Sequence, residues 1–180
     1  RVEFNKIGTL LRSHLGPAGD CALSTVSGRA LSGKVLELDV EVSSIGDPEI
    51  GDAVIKSGRT TAVTRGKVVR IEVNTKMDYG AGVSAVVGGF EIGVDPAAPA
   101  PDGEISRGGD SGAAWLALGR DGHATGVMLG LHFAGDADGV APLGCNGTGH
   151  VGAMVIASTV VNRIVVAHKV PAVDIINETI

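Results

Sequence analysis

Glycine occupies 28 of the 180 positions, about twice its share in an ordinary globular chain. The glycines follow no three-residue period, which excludes a collagen triple helix. They separate short valine-rich runs, and stretches with helical periodicity are few. Because 44% of the residues are hydrophobic and 19% are charged, the chain can bury a core and is not expected to be disordered. The pattern predicts an all-β protein rich in turns.

Charge and hydropathy exclude two classes of partner. The formal net charge is −5 and there is no basic run, so binding to nucleic acid through phosphate contacts is not expected. No apolar stretch approaches the length of a membrane span. The sequence begins Arg1-Val2-Glu3-Phe4, with neither a start methionine nor a signal peptide. We therefore interpret the chain as trimmed, processed or a fragment, and assign it no compartment.

Two segments give clear local predictions. Apolar and acidic residues alternate over Lys34–Val42, which predicts one half-buried strand. The apolar runs Val83–Val87 and Phe90–Val94 flank Gly88-Gly89. Two glycines between apolar runs are typical of a tight hairpin. The sequence therefore predicts a strand, and then a pair of strands joined by a two-residue turn.

The strongest chemical signal is the segment Gly108-Gly109-Asp110-Ser111-Gly112. Its glycines allow a sharp backbone bend in which N–H groups converge on one point. Such groups can hold a developing oxyanion while a serine hydroxyl attacks a carbonyl carbon. On these five residues alone, an ordinary Asp-Ser-Gly turn explains the pattern equally well.

The order of four further segments extends this signal. Asp20-Cys21-Ala22-Leu23 and Ile55–Thr61 precede Ser111, and Gly130–Gly135 (G-L-H-F-A-G) follows it. Together with Thr64–Val68, they make residues 7–165 resemble bacterial trypsin-like serine peptidases of the chymotrypsin fold. The family pattern has glycine after R-T-T, where this chain has Ala62.

The resemblance implies an all-β fold of two antiparallel β-barrels, the first of them truncated, with a C-terminal helix from Ser158 to about His168. Residues 1–50 would be the remainder of the N-terminal barrel. Residues 51–168 would form the C-terminal barrel, with the nucleophile and the helix, and residues 169–180 a tail. Strands left without their barrel partners would expose a sheet edge, so a stable fold is expected to need a complementing segment.

The same resemblance implies roles for individual residues. Ser111 would be the nucleophile, the N–H groups of Gly109 and Ser111 would form the oxyanion hole, and Asp20 would orient a catalytic histidine. Asp110 would organise the oxyanion loop. No metal or organic cofactor is implied. The reaction would be hydrolysis of peptide bonds in a protein or peptide substrate, through an acyl-enzyme.

Substrate preference is also implied by the resemblance. His132 and Ser106 correspond to positions at which glutamate-specific members carry a histidine and a hydroxyl residue. Together they could bind a substrate carboxylate by charge-assisted hydrogen bonds. Ile105 stands where trypsin-type members have the base of the specificity pocket, so a preference for arginine or lysine is not expected.

The catalytic histidine is the missing part of this interpretation, because only 19 residues precede Asp20. The histidine could lie on an N-terminal segment outside this chain, which would then be a partner. The chain could instead be an inactive protease-like binding or scaffold module. A third alternative is an unusual base, either His14 or His132. An esterase that uses the same nucleophile is a further rival.

Overall fold

Strands make up all the regular secondary structure of the described residues, which are 6–135 and the backbone of Val155–Ser158 in a computed structural model. No helix occurs within these ranges. In chain order the strands are β1 (Gly8–Gly16), β2 (Gly19–Val26), β3 (Lys34–Val35), β4 (Val40–Glu41), β5 (Ser44–Ile45), β6 (Ala53–Gly58), β7 (Ala62–Asp78), β8 (Ser84–Val94), β9 (Ala114–Leu118), β10 (Ala124–Gly135) and β11 (Val155–Ser158).

Strands β6 to β11 form one closed barrel. The hydrogen-bonded order is β11-β8-β7-β6-β9-β10, and β11 also pairs with β10, which closes the ring. All the pairings in this ring are antiparallel. Short β5 adds to β10 in parallel, with Ser44 opposite Val127. Closure leaves the barrel strands without free edges, which favours a stable and soluble sheet.

Two apolar clusters cover opposite faces of the barrel sheet. Neighbours such as Val54 and Ile55 belong to different clusters, as expected from strand alternation. The first cluster contains Val54, Val68, Phe90, Ile92, Ile105, Trp115 and Leu129. The second contains Val35, Val42, Ile55, Ala114, Leu116 and Met128. The segment that includes β3 and β4 therefore covers the face of the sheet that carries the second cluster.

The prediction of one strand over Lys34–Val42 is wrong. The segment folds back on itself as β3 and β4, and Lys34 is paired with Glu41. Glu37 and Asp39 have φ values of 65° and 53°, which reverse the chain between the two strands. Valines in both arms still reach the same apolar cluster. The alternating pattern is thus satisfied by a short hairpin as well as by a long strand.

The predicted hairpin at Gly88-Gly89 is also wrong, because both glycines lie inside the continuous strand β8. The chain reverses earlier, between β7 and β8, at Tyr79–Val83. A Cβ atom on Gly88 would lie 1.9 Å from the carbonyl oxygen of Pro17. Glycine is therefore required there by the close approach of the β1–β2 turn and not by a turn of its own.

Strands β1 and β2 form a separate two-stranded sheet. Leu10, Leu11 and Leu15 on β1 are exposed, at 60%, 59% and 44% of their surfaces. The described residues therefore contain one closed barrel and two separate hairpins, β1–β2 and β3–β4. Ser158 ends β11, and the rest of the predicted helix to His168, like the tail 169–180, lies outside the described residues.

Ala62 adopts a φ of 53°, the left-handed conformation that favours glycine. Replacing Ala62 by Gly removes this strain, and we expect the free energy of unfolding to rise by about 0.5–1 kcal/mol. Urea denaturation measures the change. Ala53→Gly, in the neighbouring strand β6, is the matched control and should lower stability by about the same amount. Equal destabilisation by both substitutions would contradict the assignment of strain to Ala62.

Candidate active site

The turn Gly108–Gly112 connects a long loop to β9 and presents an exposed serine. Its backbone is held by hydrogen bonds from the N–H of Asp110 to Arg107 O (3.1 Å) and from the N–H of Ala113 to Asp110 O (3.0 Å). Gly109 and Gly112 have φ values of 102° and 89°, which other residues rarely adopt. The glycines predicted to allow a sharp bend therefore do so.

Backbone N–H groups alternate in this turn between paired and unpaired. Asp110 N–H donates to Arg107 O, and Gly112 N–H donates to His132 O at 2.7 Å. The N–H groups of Gly109 and Ser111 donate to no acceptor among residues 6–135. Two unpaired donors placed two residues apart can bind an anionic oxygen.

Asp110 is fully buried beneath the turn and collects hydrogen bonds from the β6–β7 connection. Its Oδ1 accepts from the N–H groups of Thr60 (2.7 Å) and Thr61 (3.2 Å). Its Oδ2 accepts from Thr61 Oγ1 (2.6 Å) and from the N–H of Arg107 (3.0 Å). Burial opposes ionisation, but these bonds and the charge of Lys56 outweigh it and hold the pKa of Asp110 well below its usual range.

Lys56 on β6 is the buried counter-charge of Asp110. Both side chains are fully buried, and Lys56 Nζ lies 3.2 Å from Asp110 Oδ2. The ammonium also donates to Thr61 Oγ1 at 2.7 Å and lies 5.5 Å from the centre of the Trp115 ring, within cation–π range. Burial lowers the pKa of Lys56, and Asp110 opposes that effect. Lys56 thereby anchors the turn to the barrel.

The exposed serine faces a cavity of about 900 Å³ between the barrel, the β1–β2 hairpin and the end of β7 with the turn that follows it. Ser111 and His132 line it from the barrel, Asp20 from β2, and Met77 and Tyr79 from the end of β7 and the turn that follows it. The structure therefore brings Asp20 and Ser111 to one cavity, although they are far apart in sequence.

Asp20 lies on β2 opposite Leu15 and accepts a hydrogen bond from Tyr79. The distance between the Tyr79 hydroxyl and Asp20 Oδ2 is 2.8 Å. Burial, this hydrogen bond and the charge of Asp20 raise the pKa of Tyr79 to about 12. Nothing in the sequence around Tyr79 signalled this contact.

His132 is 4% exposed and belongs to β10. Its N–H donates to Ala113 O at 2.8 Å, so the strand runs directly beside the residues that follow Ser111. Its Nδ1 is buried and has no hydrogen-bond partner among the described residues. Burial and the charge of Lys56 lower the pKa of His132 to about 4, although Asp110 acts in the opposite direction.

Other candidates lie apart from this group. Ser106 is buried and, within residues 6–135, is not part of the cavity wall, while Ile105 is fully buried in the barrel core. His14 pairs with Cys21, one position along from the Leu15–Asp20 pair. Because neighbouring residues on a strand face opposite sides, His14 lies on the face of the hairpin opposite to Asp20.

Two classes of feature do not occur in the described part of the chain. No helix there is long and apolar enough to cross a membrane. No group of three or more acidic, histidine or cysteine side chains in residues 6–135 is arranged to hold a metal ion.

The chain is similar to solved structures of bacterial serine proteases. A glutamic acid-specific serine protease, whose substrate binding is described as using a histidine triad, is 23% identical, with a TM-score of 0.58 over 91% of this chain and 72% of that one. Cellulomonas bogoriensis chymotrypsin is 21% identical, with a TM-score of 0.58 over 90% and 73%. Nocardiopsis protease is 18% identical, with a TM-score of 0.57 over 89% and 70%.

Comparison of the sequence with protein-family models and with curated proteins gives no match. The structural likeness extends over about nine-tenths of the chain. The chain therefore has the fold of the bacterial trypsin-like serine proteases.

Proposed function

We propose that this chain is a serine endopeptidase in which Ser111 is the nucleophile. Ser111 Oγ attacks the carbonyl carbon of a peptide bond, a histidine accepts the hydroxyl proton, and the amine leaves. Water then hydrolyses the acyl-enzyme. The catalytic histidine is supplied by a segment that is not in this chain, and Asp20 orients its ring.

The turn Gly109–Gly112 is the observation that carries this proposal. Its two unpaired N–H groups, on Gly109 and Ser111, suit the oxyanion of a tetrahedral intermediate. Its conformation is fixed from below by the fully buried Asp110. The buried ion pair of Asp110 with Lys56 holds the turn against β6, and so keeps the two N–H groups in a fixed position as an oxyanion site requires.

The domain organisation belongs to the same proposal. Residues 1–50 would be the remainder of a first barrel, residues 51–168 a barrel with a C-terminal helix, and residues 169–180 a tail. The exposed leucines Leu10 and Leu11 on the β1–β2 hairpin support a complementing N-terminal segment, since a strand packed there would cover them. That segment would also carry the histidine.

We extend the proposal to a substrate with an acidic side chain. His132 would bind its carboxylate, in keeping with the fold shared with a glutamic acid-specific protease, whereas Ser106 lies outside the wall of this cavity. His132 lines the cavity, and its low pKa keeps it neutral at neutral pH. An incoming carboxylate would favour its protonated form, so binding and proton uptake would be coupled.

An inactive protease-like binding module is the second candidate. It is favoured by the hydrogen bond that the Tyr79 hydroxyl already makes to Asp20 Oδ2, and by the position of His14 on the opposite face of the hairpin. In such a module the cavity would bind a peptide without cleaving it.

Labelling with a fluorophosphonate probe separates the two candidates. We expect the purified protein to be labelled, Ser111→Ala to lose the label completely, and the control Ser84→Ala, at an exposed serine on β8, to keep it. Denaturing mass spectrometry of the same sample is expected to show a second, histidine-bearing polypeptide. Absence of label from the unaltered protein would favour the binding module and overturn the proposed activity.

A further inference from the structure

We propose that Tyr79 is a positioning residue for Asp20, which it holds in place from the far end of the β7–β8 hairpin. The inference rests on the proposed function, because it concerns the carboxylate that would orient the catalytic histidine. Tyr79 would not touch the reacting atoms. It would act through Asp20, by fixing the direction in which the carboxylate points.

The turn between β7 and β8 places Tyr79 at a defined point. Tyr79 N–H donates to Val83 O and Val83 N–H donates to Gly80 O, both at 2.9 Å. The N–H of Gly80 is bound by Asp78 Oδ1 at 2.9 Å. Ala81, like the glycines on either side of it, has a positive φ, so the backbone here is a closed turn with few alternatives. The hydroxyl is therefore delivered to Asp20 from a constrained position.

A second contact fixes the β1–β2 hairpin against the same element. The carbonyl oxygen of Pro17 approaches Gly88 on β8 so closely that a Cβ atom there would lie 1.9 Å from it. Pro17 and Asp20 lie at and just after the turn of the β1–β2 hairpin. Two contacts, Pro17 with Gly88 and Asp20 with Tyr79, thus join the β1–β2 hairpin to β8 and to the turn between β7 and β8. Both contribute to the position of the carboxylate.

The surroundings of the Tyr79 hydroxyl keep it protonated, so that it can donate a hydrogen bond to Asp20 at neutral pH. The hydroxyl of Tyr79 donates to the Asp20 side chain at 2.8 Å, and hydrogen bonds to a carboxylate are stronger than those between neutral groups. The raised pKa of Tyr79 keeps the donor protonated over the whole neutral range. Cys21, next to Asp20 on the same cavity wall, also has a pKa raised to about 12, by burial and by Asp20. Asp78, which precedes Tyr79 in the sequence, accepts a hydrogen bond from Gly80 N–H.

The first test uses the fact that Tyr79 is the only tyrosine in the chain. Near-ultraviolet absorbance of tyrosinate, followed against pH, reports on this one residue. We expect a midpoint near pH 12 in the unaltered protein and a lower midpoint in Asp20→Asn, which removes the hydrogen bond and the charge of Asp20 but leaves the burial of Tyr79. The control Asp121→Asn, at an exposed carboxylate in the turn between β9 and β10, should leave the midpoint unchanged. Circular dichroism on the same samples shows that the fold is retained at each pH.

An unchanged midpoint in Asp20→Asn would overturn the inference, whether or not the protein is an enzyme. The second test is the rate of fluorophosphonate labelling of Ser111 in Tyr79→Phe, which we expect to fall about tenfold. An unchanged labelling rate would also overturn the positioning role. If the unaltered protein takes no label, the proposed function has failed, and the tyrosine titration alone decides whether Tyr79 holds Asp20.

Discussion

Asp110→Asn is expected to lower the free energy of unfolding by about 3–5 kcal/mol, because it leaves a buried ammonium without its counter-charge. Lys56 is 0% exposed and lies 3.2 Å from Asp110 Oδ2. An amide cannot neutralise it, and its NH₂ group would also face donors that now bind a carboxylate. The loss should exceed that of Lys56→Met, because Asp110 would keep its hydrogen bonds from Thr60, Thr61 and Arg107.

Urea denaturation followed by the fluorescence of Trp115 measures this effect. Trp115 is the only tryptophan in the chain, and its ring lies 5.5 Å from Lys56 Nζ. Asp102→Asn is the matched control. Asp102 forms an ion pair with Arg107 at 2.7 Å near the same turn, but both side chains are about half exposed. We expect a change of less than about 1 kcal/mol there. Comparable losses in the two variants would contradict the buried ion pair.

The same substitution should also release the turn that presents Ser111. Asp110 joins the turn to Thr60 and Thr61, so its loss removes the contacts that hold the unpaired N–H groups in place. Under the proposed function, Asp110→Asn would therefore label more slowly with the fluorophosphonate probe even at temperatures where it remains folded. This links the stability of the barrel to the geometry of the oxyanion site.

Short sequence segments were sufficient to predict structure where the conformation depends only on neighbouring residues. The glycines around Ser111 predicted a bent turn, and the structure gives positive φ values at Gly109 and Gly112. The turn at Gly119–Gly122, between β9 and β10, is equally local, since the N–H of Gly122 donates to Gly119 O at 2.9 Å. In both cases a few adjacent residues determine the conformation.

Contacts between distant residues were not predictable in this way. Gly88 is a glycine because Pro17 approaches it, and a pair of glycines looks the same whether it makes a turn or accommodates another chain. Lys56 and Asp110 are 54 positions apart, and the apolar run around Lys56 gives no indication of which acidic residue pairs with it. Tyr79 reaches Asp20 over 59 positions. The sequence therefore singled out Ser111 and Asp20, which line one cavity, but the residues that contact them became evident only in the structure.

His132 makes the stability of the fold depend on pH in a defined window. Its pKa is about 4 in the folded protein and about 6.5 when it is exposed in the unfolded chain. Above pH 6.5 the imidazole is neutral in both states. As the pH falls from 6.5 to 4, the unfolded chain binds a proton that the folded protein does not, so stability falls. The difference of two to three pKa units corresponds to a loss of about 3 kcal/mol.

Urea denaturation between pH 7.5 and about 4 tests this expectation. The range includes the ordinary histidine pKa of about 6.5. His132→Gln should lose most of this dependence, whereas His123→Gln, at an exposed turn residue, should keep it. The charged groups nearest to His132 are Lys56 and Asp110. The lowered pKa of Asp110 means that its ionised carboxylate stabilises the folded protein above the ordinary aspartate pKa of about 3.9. This stabilisation is lost at lower pH, below the window that tests His132. An identical pH slope in His132→Gln and the unaltered protein would mean that the imidazole is not buried as a neutral group, and the proton uptake proposed for binding of an acidic substrate would lose its basis.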